Sequence, residues 1–280
     1  MKKIVLIAGC LILFAACGGN IEKKAGQYLD SARRCMEQGN FAGAKLLIDS
    51  VRTEFPKAFA ARREGIRLMQ EVEMAESERT ISYQDSILSV LNGRLEEVKG
   101  KFRFEKDVKY QDMGSYVIES QIPENNVGRN YLRGQVDETG RMTIVSNFSG
   151  SSYIHHRSVR VSCNDNYVDS PVSDDFYEFK DLGVCYEKCN FTNGEDGGMA
   201  AFIAMNKDSE LVVRLNGDRT VDMKMSGGDK EAISELYSLS LLLGSISEAT
   251  AIRDEAERHI RFIKLHMNDY APADSVAEAE

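Results

Sequence analysis

Chemistry in a chain of 280 residues has to come from side chains that can ionise, ligate or attack, and here that supply is thin. Histidine occurs four times, as His155, His156, His259 and His266. His155 and His156 are neighbours, which in an extended segment point to opposite faces and cannot serve one site without a bulge. His259 and His266 are seven apart and can share a helix face, but neither has a ligand partner at i+4. Zinc needs three or four converging donors, and neither HExxH nor a paired CxxC occurs. The GxSxG elbow, the Walker loop and GxGxxG are missing too, which removes the common hydrolase and nucleotide signatures. Asn193-Gly194-Glu195-Asp196-Gly197-Gly198 concentrates oxygen donors. Without the ligand order and terminal glutamate of an EF-hand loop, it reads as a polar turn rather than a calcium site. Glycoside hydrolysis needs only two carboxylates, which any acidic chain supplies, but with no tryptophan tyrosine would have to stack on the sugar. No catalytic residue, metal ligand or cofactor site is assigned, and the expectation is a noncatalytic protein.

Cysteine is the other reactive type. Of six, Cys10 and Cys17 lie near the N-terminus, and Cys35, Cys163, Cys185 and Cys189 lie beyond it. Cys185 and Cys189 are four apart in what reads as a strand, on one face but about 13 Å from each other, too far to bridge. A disulfide from Cys163 to one of them stands beside the alternative that all three are small buried hydrophobes.

Met1 is followed by Lys2 and Lys3, then an apolar or small run from Ile4 to Ala16 with no charge before Glu22. That layout is a signal peptide, 1–16, and the run is shorter than the roughly 20 apolar residues of a membrane span. Phe14-Ala15-Ala16-Cys17 resembles a bacterial lipobox, in which small residues precede a cysteine that is diacylated with palmitate-type chains and becomes the mature N-terminus. The resemblance covers the first twenty residues and makes Cys17 the expected lipid attachment point. Several acyl chains on one terminus anchor stably, at about 0.8 kcal/mol per buried methylene. Gly18 lacks the aspartate associated with inner-membrane retention in some Gram-negative bacteria, so the resemblance implies the outer membrane, with either the periplasmic or the surface face open.

Composition sets the partners. Net charge is −9, and losing Lys2 and Lys3 with the leader takes it two units lower. With no basic cluster, nucleic acid lacks its electrostatic footprint and is excluded as a partner.

The elements follow from periodicity. Residues 17–56 read as two helices around Gly39-Asn40. Tyr28, Ala32, Gly39-Asn40-Phe41, Ala44, Ile48, Val51 and Pro56 fall at spacings that resemble one tetratricopeptide repeat, small residues standing where helices approach closely. No second copy follows, so a helical hairpin is implied and no peptide groove. Residues 57–100 form a long helix in which Ile81, Leu88, Leu91, Leu95 and Val98 mark a packing stripe. A matching helix, 227–268, is expected with Asp229 as N-cap and Ile233, Leu236, Leu239, Leu243, Ile246, Ile252, Ala256 and Ile263 on one face. The two, about 60 Å each, suit an antiparallel coiled-coil stalk, and their faces also offer self-association. The acidic tail 269–280 is expected to be disordered.

Between the helices, 101–226 changes to strand periodicity. Strands are expected at Tyr131–Val136 and Met142–Phe148, a hairpin turned at Gly140, and at Ser158–Cys163, Phe176–Phe179, Val184–Cys189, Met199–Met205, Leu211–Leu215 and Thr220–Met225. Their spacing predicts an antiparallel sandwich or partial barrel. The fold class is therefore α+β, with an antiparallel β domain inserted between two long helices.

Asp30-Ser31-Ala32, Asp49-Ser50-Val51, Asp85-Ser86-Ile87 and Asp274-Ser275-Val276 resemble a short acceptor motif for periplasmic O-glycosylation, with Ser275 in the tail the most accessible. The function expected is that of a membrane-anchored envelope scaffold with a protein partner. The alternative is a ligand- or glycan-binding lipoprotein that uses the β domain. A binder should carry an apolar cleft with convergent polar groups, whereas a scaffold should expose an apolar patch.

Overall fold

A computed structural model describes residues 15–107, 109, 112–192 and 194–267, with side chains from residue 19. Most of the expected signal peptide, the acidic tail and Ser275 lie outside these residues. The fold is α+β: three N-terminal helices and a long C-terminal helix flank a central antiparallel β domain of two sheets. Two compact units divide the chain, one of Met1–Ile87 with Thr250–Glu280 and one of Leu88–Ala249.

In the first unit, α1 (Ala15–Glu37) and α2 (Phe41–Glu54) form the expected hairpin. The Asn40 side chain caps α2 by accepting from the Gly43 N–H at 3.0 Å, satisfying one of its orphan donors. Ala25, Leu29, Ala32, Ala44, Ile48 and Val51 share a dry core with Ala58, Ala61, Leu68 and Val72. The alanines allow the close approach anticipated from sequence. Helix α3 (Phe59–Val98) begins against Glu22, whose carboxylate accepts from the Ala60 and Ala61 N–H groups at 3.2 and 3.1 Å, a favourable charge at a helix N-terminus. Its neighbour α5 (Gly227–His266) runs antiparallel to it here. Ser77 Oγ meets His259 Nδ1 at 3.3 Å, and further along α3, Asp85 meets the earlier Arg253 at 2.6 Å. The five stripe residues of α3 are only half-buried; its fully buried positions are chiefly in its first half, against the hairpin. Ile252, assigned to the packed face of α5, is exposed, while Ala256 and Ile263 are buried.

The second unit holds a six-stranded sheet ordered β1-β2-β3-β4-β8-β7 and a four-stranded sheet ordered β10-β9-β5-β6. The strands are β1 (Arg103–Glu105), β2 (Ser115–Val117), β3 (Tyr131–Asp137), β4 (Met142–Gly150), β5 (Ser158–Cys163), β6 (Asn166–Asp169), β7 (Phe176–Asp181), β8 (Val184–Thr192), β9 (Val212–Asn216) and β10 (Val221–Lys224). One core joins them: Leu132, Ile144 and Phe191 from the larger sheet, Val159, Val161 and Val213 from the smaller, and Ile233, Leu236 and Leu243 from α5. The hairpin at Gly140 forms as expected, with φ +89°, and Asp137 Oδ1 accepts from the N–H groups of Thr139 and Arg141, both at 2.9 Å.

Three expectations are corrected. Met199–Met205, expected as a strand, is helix α4. Its apolar residues bury at the helical positions Met199, Ala200 and Ile203, and Asp196 accepts from the N–H of Gly198 and Ala200 at 3.2 and 3.0 Å, which favours a helical turn over extension. The hydroxyl of Ser226, not Asp229, accepts the N–H at the start of α5, from Asp229 at 3.1 Å. Asp229, one turn further in, is buried and accepts from Gln121 Nε2 at 3.0 Å and from Arg129. Finally, β1, β2 and β6 arise where no strand is expected: short edge segments carry too few residues for a period to register.

Candidate functional site

Cys17 lies in the first turn of α1. Among the Asp-Ser motifs, Ser31, Ser50 and Ser86 each donate to the carbonyl four residues back, at 2.9, 3.0 and 3.0 Å, as ordinary helix serines do. The oxygen-rich loop is used locally, Asp196 serving α4 as described; Asn193 is outside the described residues. His259 contacts Ser77, and His266 Nδ1 faces the Phe262 carbonyl at 2.8 Å. Cys163, Cys185 and Cys189 are buried free thiols. Cys185 and Cys189 share one face of β8 as their spacing requires, while Cys163 belongs to the other sheet and is no cross-strand neighbour of either. Burial pushes the Cys189 thiol up to about 12, and its Sγ donates to the His156 carbonyl at 2.9 Å; such a thiol is unreactive.

Two arrangements in the β domain remain. The first joins Ser146, His156 and Glu187. His155 and His156 lie in a loop rather than a strand, and His155 takes φ +51°. They do point apart: His155 Nδ1 faces Glu178 at 3.0 Å in the open, while His156 turns inward. Its Nδ1 lies 2.7 Å from Glu187 Oε2 and its Nε2 lies 2.8 Å from Ser146 Oγ. A carboxylate only accepts, so Nδ1 carries the proton and Nε2 accepts from the serine. These contacts have the order of a hydrolase triad. Ser146, His156 and Glu187 are nevertheless 0, 1 and 3% exposed, and a substrate carbonyl has no route to the hydroxyl.

The carboxylate has a structural task instead. Glu187 also accepts the backbone N–H groups of Ile154 at 2.5 Å, His155 at 3.0 Å and His156 at 2.9 Å. Burial pushes its pKa up, but the hydrogen bonds from His156, Ile154 and His155 outweigh this and hold it below the ordinary value. Burial lowers His156, against the pull of Glu187. The pair is a clamp that pins the loop before β5 to the inner face of β8. Sequence carried a signal for it: Glu187 alternates with Cys185 and Cys189 on the apolar face of β8, and a carboxylate there has to find donors.

The second arrangement lies on the opposite, outer face of the same sheet. Register pairs Tyr131 with Asn147 and Arg133 with Val145 between β3 and β4, Asn147 with Lys188 between β4 and β8, and Lys188 with Tyr177 and Tyr186 with Phe179 between β8 and β7. Directly paired residues share a face, so a row of aromatic, cationic and amide groups runs across four strands. Over it lies a cleft of about 360 Å³ walled by Pro123, Asn126, Val127 and Arg129, within the size range of small-molecule sites. That wall is braced internally, since Asn126 Nδ2 donates to the carbonyls of Ser120 and Ile122 at 2.9 and 2.8 Å.

Three aromatic rings, Tyr177, Phe179 and Tyr186, line part of the cleft as a stack. Phe179 stacks on Tyr186 with centroids 4.8 Å apart and planes at 12°, and Tyr177 stands 5.5 Å from Phe179. Tyr177 and Phe179 are 62 and 43% exposed although the sheet continues beneath them.

Two cations of the cleft are not bound to a carboxylate among the described residues. Arg129 stacks over Tyr131 at 5.1 Å and pairs with Asp229, so its charge is matched. Arg133 is buried, and among the described residues it bonds only to the neutral Gln135 amide at 3.0 Å and leaves its Nε without a partner. Lys188 has no ion pair among the described residues. Burial, and then the charge of Arg133, lower its pKa, with Asp175 acting weakly the other way. Asp181 and Glu187 also line the cleft, but among the described residues neither is bound to Arg133 or Lys188, and two like charges on one half-buried face destabilise each other. Sequence reasoning missed both residues, because Arg133 and Lys188 sit in different strands and only the β3-β4-β8 order brings them together.

Comparison with known proteins finds no matching family model, no matching curated protein and no matching solved structure.

Proposed function

We propose that this protein is a noncatalytic, lipid-anchored protein of the bacterial cell envelope whose β domain binds a small anionic ligand. The observation that carries the binding reading is the pair Arg133 and Lys188, which line one cleft together with Asp181 and Glu187 and of which neither makes an ion pair among the described residues. Proteins hold such pairs against their own stability where a ligand supplies the missing charge. The tightest serine–histidine–carboxylate array, Ser146, His156 and Glu187, is sealed in the core, and in the looser one His259 lies 3.3 Å from Ser77 but 3.9 Å from Glu73, which supports a role without catalysis. Native mass spectrometry of the full-length chain, released from envelope membranes in mild detergent, tests binding. A small anion should be retained by the wild type and lost from Lys188→Gln; equal retention by both would reject the cleft.

The anchor rests on Lys2-Lys3, the apolar run and Phe14-Ala15-Ala16-Cys17, which support an outer-membrane location with acylated Cys17 holding the lipid. Cys17→Ser should move the protein from the membrane to the soluble envelope fraction. Unchanged fractionation would remove the lipoprotein reading.

A scaffold role is favoured by a separate observation in the first unit. A groove of about 680 Å³ is lined by Ile48, Val51, Ile66, Met69 and the exposed rings of Phe59 and Phe262, with Arg52, Arg62 and Arg63 along it. An apolar floor with a cationic edge fits an acidic amphipathic helix of an envelope partner. Crosslinking from a photoreactive residue placed at Phe59 should capture a partner through such a helix, and capture unaffected by Arg62→Glu with Arg63→Glu would exclude it.

A further inference from the structure

We propose that the ligand of the β-domain cleft is a sugar ring bearing one anionic substituent, a carboxylate or a phosphate ester, as at the end of an acidic glycan. This rests on reading the cleft as a binding site and adds the chemistry of what occupies it.

Three features converge on that class. The first is the anion. Arg133 on β3 and Lys188 on β8 flank β4 on the same face, offset by two residues in register, so their backbones lie about 12 Å apart by strand spacing and rise. One oxyanion group between them accepts from the Arg133 fork and from the Lys188 ammonium together, removing the repulsion that each now feels.

The second feature is the platform. Tyr177, Phe179 and Tyr186 form a row of stacked and tilted rings, with centroid separations of 5.5 and 4.8 Å, and Tyr177 and Phe179 stay open to solvent. The outermost ring of such a stack, Tyr177, which is 62% exposed, offers apolar surface to the C–H face of a pyranose. The row also continues to the sheet edge, since β7 ends the strand order, so a ring held at the cations could be followed by further rings along β7.

Hydroxyl recognition is the third. Asn147, on the strand between the cations, lines the cleft and among the described residues its amide donates only a long bond to the Val145 carbonyl at 3.5 Å, while the other lining amide, Asn126, is fully used within the wall. An amide with spare acceptor capacity between an anion site and an aromatic platform matches a polyhydroxyl ligand better than a plain aromatic acid.

Isothermal titration of the full-length chain in detergent distinguishes the candidates, with trigalacturonate, its methyl ester, glucose 6-phosphate, sodium acetate and inorganic phosphate as probes. Binding of trigalacturonate that its methyl ester loses assigns the carboxylate, and binding of glucose 6-phosphate well above inorganic phosphate assigns the phosphate ester. In either case Lys188→Gln and Arg133→Gln should each weaken binding by about tenfold or more, the scale of one charge-assisted hydrogen bond. Tyr177→Ala, at an exposed position, should weaken the sugar while leaving the bare anions unchanged. Acetate or inorganic phosphate binding as tightly as the sugars would overturn the sugar assignment and leave the anion cleft standing. An anion retained from envelope membranes with no response to either anionic sugar would also overturn it, whereas no retained anion and no response to any probe would remove the binding reading itself. Full binding by Lys188→Gln and Tyr177→Ala would place the ligand elsewhere and overturn the proposal.

Discussion

Glu187 Oε2 and His156 Nδ1 lie 2.7 Å apart inside the β domain, and the same carboxylate accepts three consecutive backbone N–H groups from Ile154 to His156. One side chain from β8 therefore sets the path of the loop entering β5. Gly217, at the end of β9, closes on that loop from the other sheet, with the Asp218 N–H donating to the Ile154 carbonyl at 2.7 Å.

Glu187→Ala removes the acceptor and strands three backbone donors and a buried imidazole. A loss of about 3–5 kcal/mol is expected, as for breaking a buried pair, read as a fall in the urea midpoint. Glu178→Ala, which removes the solvent-facing partner of His155, should cost about 1 kcal/mol or less. Equal losses would deny the clamp its role.

Acid should weaken the β domain in two steps. The folded pKa of His156 is depressed, so below about pH 6.5 the unfolded chain binds a proton that the folded chain refuses, and stability falls as pH drops. Glu187 is also depressed; its contribution is present above the unfolded carboxylate value of about 4.3 and is lost as pH falls through its folded pKa. His155, raised by Glu178, has the opposite sign and is screened by solvent. Urea titrations between about pH 7.5 and 5 should show a slope that His156→Gln flattens, despite that variant's lower stability throughout. An unchanged slope would mean that His156 is not the group responsible.

Gly140→Ala should destabilise the same unit by at least about 2 kcal/mol. Its φ of +89° disfavours a side chain, and a Cβ would meet the Gly244 nitrogen at 2.3 Å and the Ser240 carbonyl oxygen at 2.7 Å. Thermal unfolding reads this directly; a midpoint like that of the wild type would show that α5 can yield at the turn.

Lys188→Gln should have the unusual outcome of stabilising the ligand-free protein, by about 0.5–1 kcal/mol, because it removes a repulsion that serves binding alone. Chemical denaturation without ligand checks the sign. A destabilised variant would mean that Lys188 has a structural partner and that the charge imbalance is not a functional one.

Local patterns were enough to place the helices, the main strands and the turn at Gly140, because capping, glycine conformation and periodicity act within a few residues. They failed at Met199–Met205, where apolar residues suit a strand or a short helix equally and Asp196 with Gly198 decides, and at Asp229, where a serine three residues earlier takes the cap. By itself the sequence determined the α+β order of elements, the shared face of Cys185 and Cys189, and the scarcity of chemistry-bearing residues. Only the tertiary structure decided that Glu187 meets His156 and that Arg133 and Lys188 line one cleft. Those pairs join residues 31 and 55 positions apart, a loop residue with β8 in the first case and β3 with β8 in the second, and their energies depend on burial and on the charges around them, neither of which any local pattern carries.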